Sequence, residues 1–326
     1  MQILEDSFGR RFSYLRLSIT DACNFSCQYC LPNGYCRTGA PAPLTPNETS
    51  NLVAAFAELG TWKVRLTGGE PTLRRDLLEI VDRVVTTPGV RRVALSTNGY
   101  RLRELARPLF DAGVRGLNTS VDSLDRAKFF EITGVDKLPD VLEGIDAAFD
   151  VGFEHVKVNA VLLAGLNDTE LDRFSDWVRT RPITVRFIEL MPTASNQDLF
   201  KRRHARADAI RARLLTQGWA PRMRSEGDGP AEEFTHPEYV GRIGIIAPYS
   251  KEFCKTCNRL RVTSQGALRL CLFAKGEVTL RDLLREPLQR EELKARLIEL
   301  LATKEVSHYL PEGKYGNTGT FSAIGG

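Results

Sequence analysis

Six β-rich apolar runs separated by stretches of helical periodicity predict an α/β protein with a parallel, right-handedly wound sheet. The runs cover residues 12–20, 63–67, 92–97, 116–121, 155–163 and 184–190, and most intervals between them place apolar residues at helical spacing. A change of texture at residues 225–231, SEGDGPA, ends that rhythm and sets off a smaller C-terminal α+β region, so the chain divides into residues 1–224 and 225–326. After the first run, Thr45 as N-cap, Pro46 at N1 and Glu48 at N3 form a capping box that opens a helix. Further helices are expected over 102–112, 124–132, 138–151, 170–179 and 206–217. Within that last region, the basic residues Lys201 to His204, Arg206, Arg211 and Arg213 read as the wet face of one amphipathic helix. Alternation alone leaves an open sheet and a barrel equally possible, although there are too few βα units for an eight-fold barrel. Beyond residue 225, short β-like pieces at 240–246, 260–263 and 267–271 precede a helix near 290–303 and a loop-like end.

The 326 residues carry 45 Lys and Arg against 41 Asp and Glu, a formal charge of +4 that a solvated surface explains without nucleic acid. No apolar run approaches the roughly 18 residues a membrane helix needs. Residues 1–11 hold Glu5, Asp6, Arg10 and Arg11 where a signal peptide requires apolar sequence. A soluble cytoplasmic protein without membrane contact is expected.

The seven cysteines are clustered, which in such a chain favours metal or redox chemistry over disulfides. Cys23, Cys27 and Cys30 follow the first strand, where parallel α/β folds place ligand loops. Cys254, Cys257 and Cys271 form a second triad in the C-terminal region. Structural zinc wants four ligands, and a ferredoxin-type cluster also has four thiolates. Three thiolates on a four-iron cluster leave one iron open to a small molecule. The alternatives are zinc completed by a distant ligand, a zinc-stabilised nucleic-acid module, or Cys36 as a fourth thiolate. Arg16, Lys63, Arg65, Lys157 and Arg186 fall within strands; Lys63 and Arg65 share a face, as do Arg259 and Arg261 if extended. Converging guanidiniums suit a triphosphate, whereas any one of these cations alone suits an exposed strand face.

Cys23-x3-Cys27-x2-Cys30, with Tyr29 before the third cysteine, resembles the signature of the radical S-adenosylmethionine superfamily. Within it the chain is similar to the GTP 3′,8-cyclases of molybdenum cofactor biosynthesis. The likeness runs from residues 17–25 through Gly68-Gly69-Glu70-Pro71, Ser96-Thr97-Asn98-Gly99, Ser120-Val121-Asp122-Ser123 and Arg186-Phe187-Ile188-Glu189 to residues 229–231, 241–244 and 253–261, and the closing Gly325-Gly326.

The resemblance implies an incomplete (β/α)6 TIM-like radical SAM barrel, with a smaller C-terminal α+β appendage carrying a second Fe–S cluster. It implies two [4Fe-4S] clusters as cofactors, one on Cys23, Cys27 and Cys30 and one on Cys254, Cys257 and Cys271, together with S-adenosyl-L-methionine. Tyr29, Gly69, Ser120 and Met191 are the matching positions near S-adenosylmethionine, and Glu70 is a candidate to receive its ammonium. Arg16, Lys63, Arg65, Ser96, Lys157, Arg259, Leu260 and Arg261 match positions that contact GTP; Ser96 stands where the family is expected to have threonine. Arg16, Gly325 and Gly326 are the expected catalytic positions. The implied reaction is radical cyclisation of GTP to (8S)-3′,8-cyclo-7,8-dihydroguanosine 5′-triphosphate through a 5′-deoxyadenosyl radical. The implied partners are a low-potential electron donor such as flavodoxin or ferredoxin and a downstream cyclic pyranopterin monophosphate synthase, with a homodimer among the assemblies allowed. The alternative within the superfamily is an enzyme modifying a peptide or tRNA.

Overall fold

In the computed structural model, which describes residues 2–36, 39, 41–225, 227–250 and 252–325, the six expected runs become six parallel strands in sequence order. They are β1 (Tyr14–Ser18), β2 (Lys63–Thr67), β3 (Arg92–Thr97), β4 (Gly116–Ser120), β5 (Val156–Leu162) and β6 (Ile183–Glu189). The crossovers carry α1 (Pro46–Glu58), α2 (Leu77–Val85), α3 (Leu102–Asp111), α4 (Arg126–Thr133) with α5 (Leu138–Asp150), and α6 (Leu171–Arg179). The capping box is present: Thr45 Oγ1 accepts from Glu48 N at 3.2 Å, and the Glu48 carboxylate accepts from Thr45 N at 2.8 Å. The basic stretch forms two helices, α7 (Gln197–Arg203) and α8 (Asp208–Thr216), instead of the single helix expected. Ala207 N, at the start of α8, donates to the buried Glu189 carboxylate at 2.8 Å, which turns the chain between them.

The C-terminal region extends the same sheet at both edges. After the short β7 (Ala220–Pro221), which precedes the boundary, its strands are β8 (Glu232–Thr235), β9 (Arg242–Ile246), β10 (Arg259–Val262), β11 (Ala267–Arg269) and β12 (Val278–Thr279), followed by α9 (Arg290–Ala302). β10 pairs in parallel with β1, and β9 pairs in parallel with β6. The order is β12-β11-β10-β1-β2-β3-β4-β5-β6-β9-β8-β7, so a run of eight parallel strands is flanked by antiparallel ribbons and does not close into a barrel.

Alternation along each strand divides the chemistry of the two faces. Leu15, Leu17, Val64, Leu66, Val93, Leu95, Val185, Phe187, Leu260 and Val262 belong to the main hydrophobic core. The intervening residues, among them Arg16, Arg65, Ser96, Asn159, Arg186, Arg259 and Arg261, line cavities on the opposite face.

Candidate active site

The loop after β1 brings Cys23, Cys27 and Cys30 over the C-terminal ends of the parallel strands, into a pocket that includes Gly68, Gly69, Ser96, Asn98, Ser120, Asp122 and Met191. Local backbone bonds shape this loop: Cys30 N donates to Cys27 O at 2.9 Å, and Gln28 N to Ile132 O at 2.9 Å. Desolvation raises Cys23 to about 11 and pushes Cys30 up to about 12, and it carries Cys27 well above the usual thiol range. A bound cation is what turns such thiols into thiolates. Cys36 is exposed and lies outside this pocket.

The loop after β2 passes so close to the cysteine loop that glycine is required. A Cβ on Gly69 would stand 2.3 Å from Ala22 O, and one on Gly68 2.2 Å from Thr20 O, with Gly68 at φ 144°. Glu70 corrects the expectation placed on it. It is fully buried, and its carboxylate accepts from Thr72 N at 3.0 Å, Thr72 Oγ1 at 2.7 Å, Thr97 Oγ1 at 2.8 Å and Asn98 N at 2.6 Å. Those four bonds occupy the carboxylate, so it ties the β2 and β3 loops together rather than facing a ligand. Tyr29 donates to Asp122 Oδ2 at 2.8 Å; burial raises Asp122 to about 6.

A second cavity contains Cys254, Cys257 and Cys271 together with Arg16, Arg65, Arg186, Arg259 and Arg261. Strand register explains the convergence, since Arg261 is paired with Arg16 and Arg16 with Arg65 across three neighbouring strands. One layer lower, Arg259, Tyr14 and Lys63 are paired in the same way. Arg65 is 8%, Arg186 3% and Arg259 6% exposed, so these are not wet strand faces. The Nε atoms of Arg65, Arg186, Arg259 and Arg261 are buried without a hydrogen-bond partner. Burial, then the neighbouring Arg65 charge, lowers Arg186 to about 9; burial and Arg259 lower Arg261 to about 10. Desolvation would raise Cys257, but Arg259 and Lys304 pull it down to about 7.

Asn159, Ile188 and Met191 line both cavities, so the pocket of the first triad and the cavity of the second adjoin across a shared wall. The C-terminal tail lies across it: Phe321 and Ser322 line the first pocket, and Arg16 Nη2 donates to Gly325 O at 2.5 Å. Gly326 lies outside the described residues.

Other expected positions fall differently. Ser96 lines the first pocket, not the arginine-rich one. Leu260 turns its side chain into the main core. Lys63 Nζ donates to Gly227 O at 2.6 Å, and Lys157 pairs with Glu233 at 2.8 Å. Asn159, the Arg186 donation to Asn118 Oδ1 at 2.6 Å and the Phe321–Ser322 step carry no role in the sequence reading, and Asp122 enters it only as part of the motif at 120–123. Asn118 and Asn159 sit in the middle of β4 and β5, so their local signal is a polar residue in an apolar run, which an exposed strand face shares. Among the described residues no three His, Cys, Asp or Glu side chains converge as a set for a single metal ion.

Residues 17–178 match the family model for the Radical SAM superfamily, and residues 183–310 that for Molybdenum Cofactor Synthesis C. A GTP 3′,8-cyclase of Aeromonas hydrophila is 53% identical over 331 residues, covering 100% of this chain and 97% of that protein. One of Psychromonas ingrahamii is 50% identical over 325 residues, covering 100% and 96%. Among solved structures, Streptococcus suis SuiB bound to S-adenosylmethionine shares the fold at TM-score 0.60 and 15% identity, over 90% of this chain and 68% of that one. The anSMEcpe complex with AdoMet and the Cp18Cys peptide does so at TM-score 0.55 and 13% identity, over 89% and 83%. Full-length identity of this order, with the superfamily model matched over the first half of the chain, shows that the chain belongs to the GTP 3′,8-cyclase family of the radical SAM superfamily.

Proposed function

We propose that the chain catalyses the radical cyclisation of GTP to (8S)-3′,8-cyclo-7,8-dihydroguanosine 5′-triphosphate in molybdenum cofactor biosynthesis. The observation that carries this reading is the shared wall of Asn159, Ile188 and Met191, which places an arginine-lined cavity beside the pocket of the first cysteine triad. Cys23, Cys27 and Cys30 are assigned to a [4Fe-4S] cluster, and the residues fit it. All three thiols face one pocket, and the glycine cradle at residues 68–69 lets a ligand approach the backbone. Held by these residues beside S-adenosylmethionine, the cluster would supply the electron for reductive cleavage of the sulfonium, the source of the 5′-deoxyadenosyl radical.

The protein's part is binding and orientation. Gly69, Ser120 and Met191 are assigned to the S-adenosylmethionine site, as is Ser96 because it lines that pocket. Tyr29, bonded to Asp122, closes its wall. Arg16, Arg65, Arg186, Arg259 and Arg261 are assigned to the triphosphate. The buried Nε atoms of Arg65, Arg186, Arg259 and Arg261 lack a hydrogen-bond partner, which is costly unless an anion enters, and the fork geometry suits phosphate. Lys63, its ammonium bonded to Gly227 O, adds positive charge one layer below, whereas Lys157 is neutralised by its ion pair with Glu233. Cys254, Cys257 and Cys271, which line the arginine cavity, are assigned to a second [4Fe-4S] cluster, which would supply an anchor for the guanine. Two anchors, one for the base and one for the phosphates, bring C3′ and C8 together, which is an orientation problem. The tail, with Gly325 against Arg16, covers the cavity and excludes water. An external low-potential donor such as flavodoxin or ferredoxin is the expected electron source, and the product passes to cyclic pyranopterin monophosphate synthase.

Reduced protein, reconstituted anaerobically and given S-adenosylmethionine, should form 5′-deoxyadenosine and the cyclised nucleotide only when GTP is present. Equal 5′-deoxyadenosine with a peptide or tRNA extract and no GTP would reject this reading.

A further inference from the structure

We propose that Lys304 is a positioning residue for the second cysteine triad, a fixed buried cation that raises the reduction potential of the cluster assigned there. The inference rests on the assignment of Cys254, Cys257 and Cys271 to a cluster.

The second triad has two sides. On one lies the arginine cavity, where Arg259 and Arg261 await an anionic substrate. On the other is a separate cavity lined by the same three cysteines with Arg10, Lys304 and Ser307. Lys304 follows α9, its backbone N donating to Leu301 O at 3.1 Å, and is 6% exposed. Its ammonium donates to the carbonyl of Leu270, the residue before Cys271, and stands 5.4 Å from the Phe12 ring centroid. Among the described residues no carboxylate pairs with it, whereas Arg10 on the same side is paired with Asp6 at 2.6 Å. A buried ammonium with one carbonyl acceptor is a poor arrangement unless further negative charge is near. The three cysteines lining the same cavity would supply it as thiolates of the assigned cluster.

The consequence for a cluster follows from charge. Reduction makes an already anionic thiolate-ligated centre more negative, so an adjacent buried cation favours the reduced state. Arg259 and Arg261 give the same bias only until a triphosphate occupies them. Lys304, on the far side, keeps its charge with or without substrate.

The test is a redox titration of the second cluster in the reconstituted full chain, followed by EPR and without GTP. Signals are assigned against a full chain with Cys23, Cys27 and Cys30 replaced by Ala. Lys304→Gln keeps a donor to Leu270 O without the charge, Lys304→Met removes both, and Lys304→Arg keeps both. The Gln and Met variants should lower the reduced-to-oxidised ratio at fixed potential by about tenfold, about 59 mV for a one-electron couple. Lys304→Arg should restore the wild-type midpoint, and the first cluster's midpoint should not move. An unchanged second midpoint in Lys304→Gln and Lys304→Met, with the cluster's iron and sulfide present, overturns the role of Lys304. Wild-type protein with iron and sulfide for only one cluster would instead overturn the cluster assignment and this inference together.

Discussion

Lys63 shows how a buried cation in a binding face acquires a function-linked titration. Burial, then Arg65, Arg92 and Lys157, lower its ammonium to about 7, with Asp228 opposing them. The unfolded lysine stays charged up to about pH 10.4, so between about 7 and that value the unfolded chain binds more protons and stability rises with pH. In the proposed site, triphosphate binding would act in the opposite sense, because an anion close to Lys63 favours the ammonium. GTP binding at pH 8 should therefore take up close to one proton, and affinity should weaken from pH 7 to 9. Calorimetry in buffers of different ionisation enthalpy measures the uptake, and Lys63→Met should abolish it; equal enthalpies for wild type would remove Lys63 from the phosphate site. At this scale the cysteines and the strand arginines were legible, because thiolate spacing and two-residue alternation are local. The duties of Glu70, Ser96 and Leu260 were not, since each depends on which loop or core a side chain meets.

Among the elements, α1 and the C-terminal tail make different kinds of contact. The Thr45–Glu48 capping box also reaches the C-terminal region, because Glu48 pairs with Arg281 at 3.0 Å. Thr45→Ala removes the cap and should lower stability by about 1 kcal/mol in urea unfolding, with GTP turnover unchanged. In the tail, Gly325 has φ 63°, and a Cβ there would lie 2.1 Å from Thr67 Cγ2. Gly325→Ala should lift the tail from Arg16 and reduce GTP-dependent product formation on the order of 10²-fold, while the melting temperature stays near wild type. Retained turnover would show that the tail does not complete the site. The capping box was readable from four consecutive residues. The tail was readable only through resemblance, since an isolated Gly-Gly end is ordinarily frayed.

For the whole molecule, the sheet runs unbroken across residue 225, with β10 on the β1 edge and β9 on the β6 edge. A chain ending at residue 224 would expose both parallel edges and the apolar faces that β9, β10 and α9 cover. It should be recovered aggregated or unfolded, as judged by gel filtration and circular dichroism. A monomeric, cooperatively folded 1–224 fragment would show that the second region is not needed to close the sheet. Taken alone, the sequence determined the βα alternation, which alternate residues of a strand share a face, and the two triads. All of these depend on spacings of a few residues and on side-chain chemistry. Tertiary structure decided that strands more than two hundred residues apart pair as β1 and β10, bringing Arg16 beside Arg261. It also decided that Glu70 serves the protein rather than a ligand and that Lys304 lies behind the second triad. Strand partners and burial are set by the packing of the whole sheet, and no local pattern carries that information.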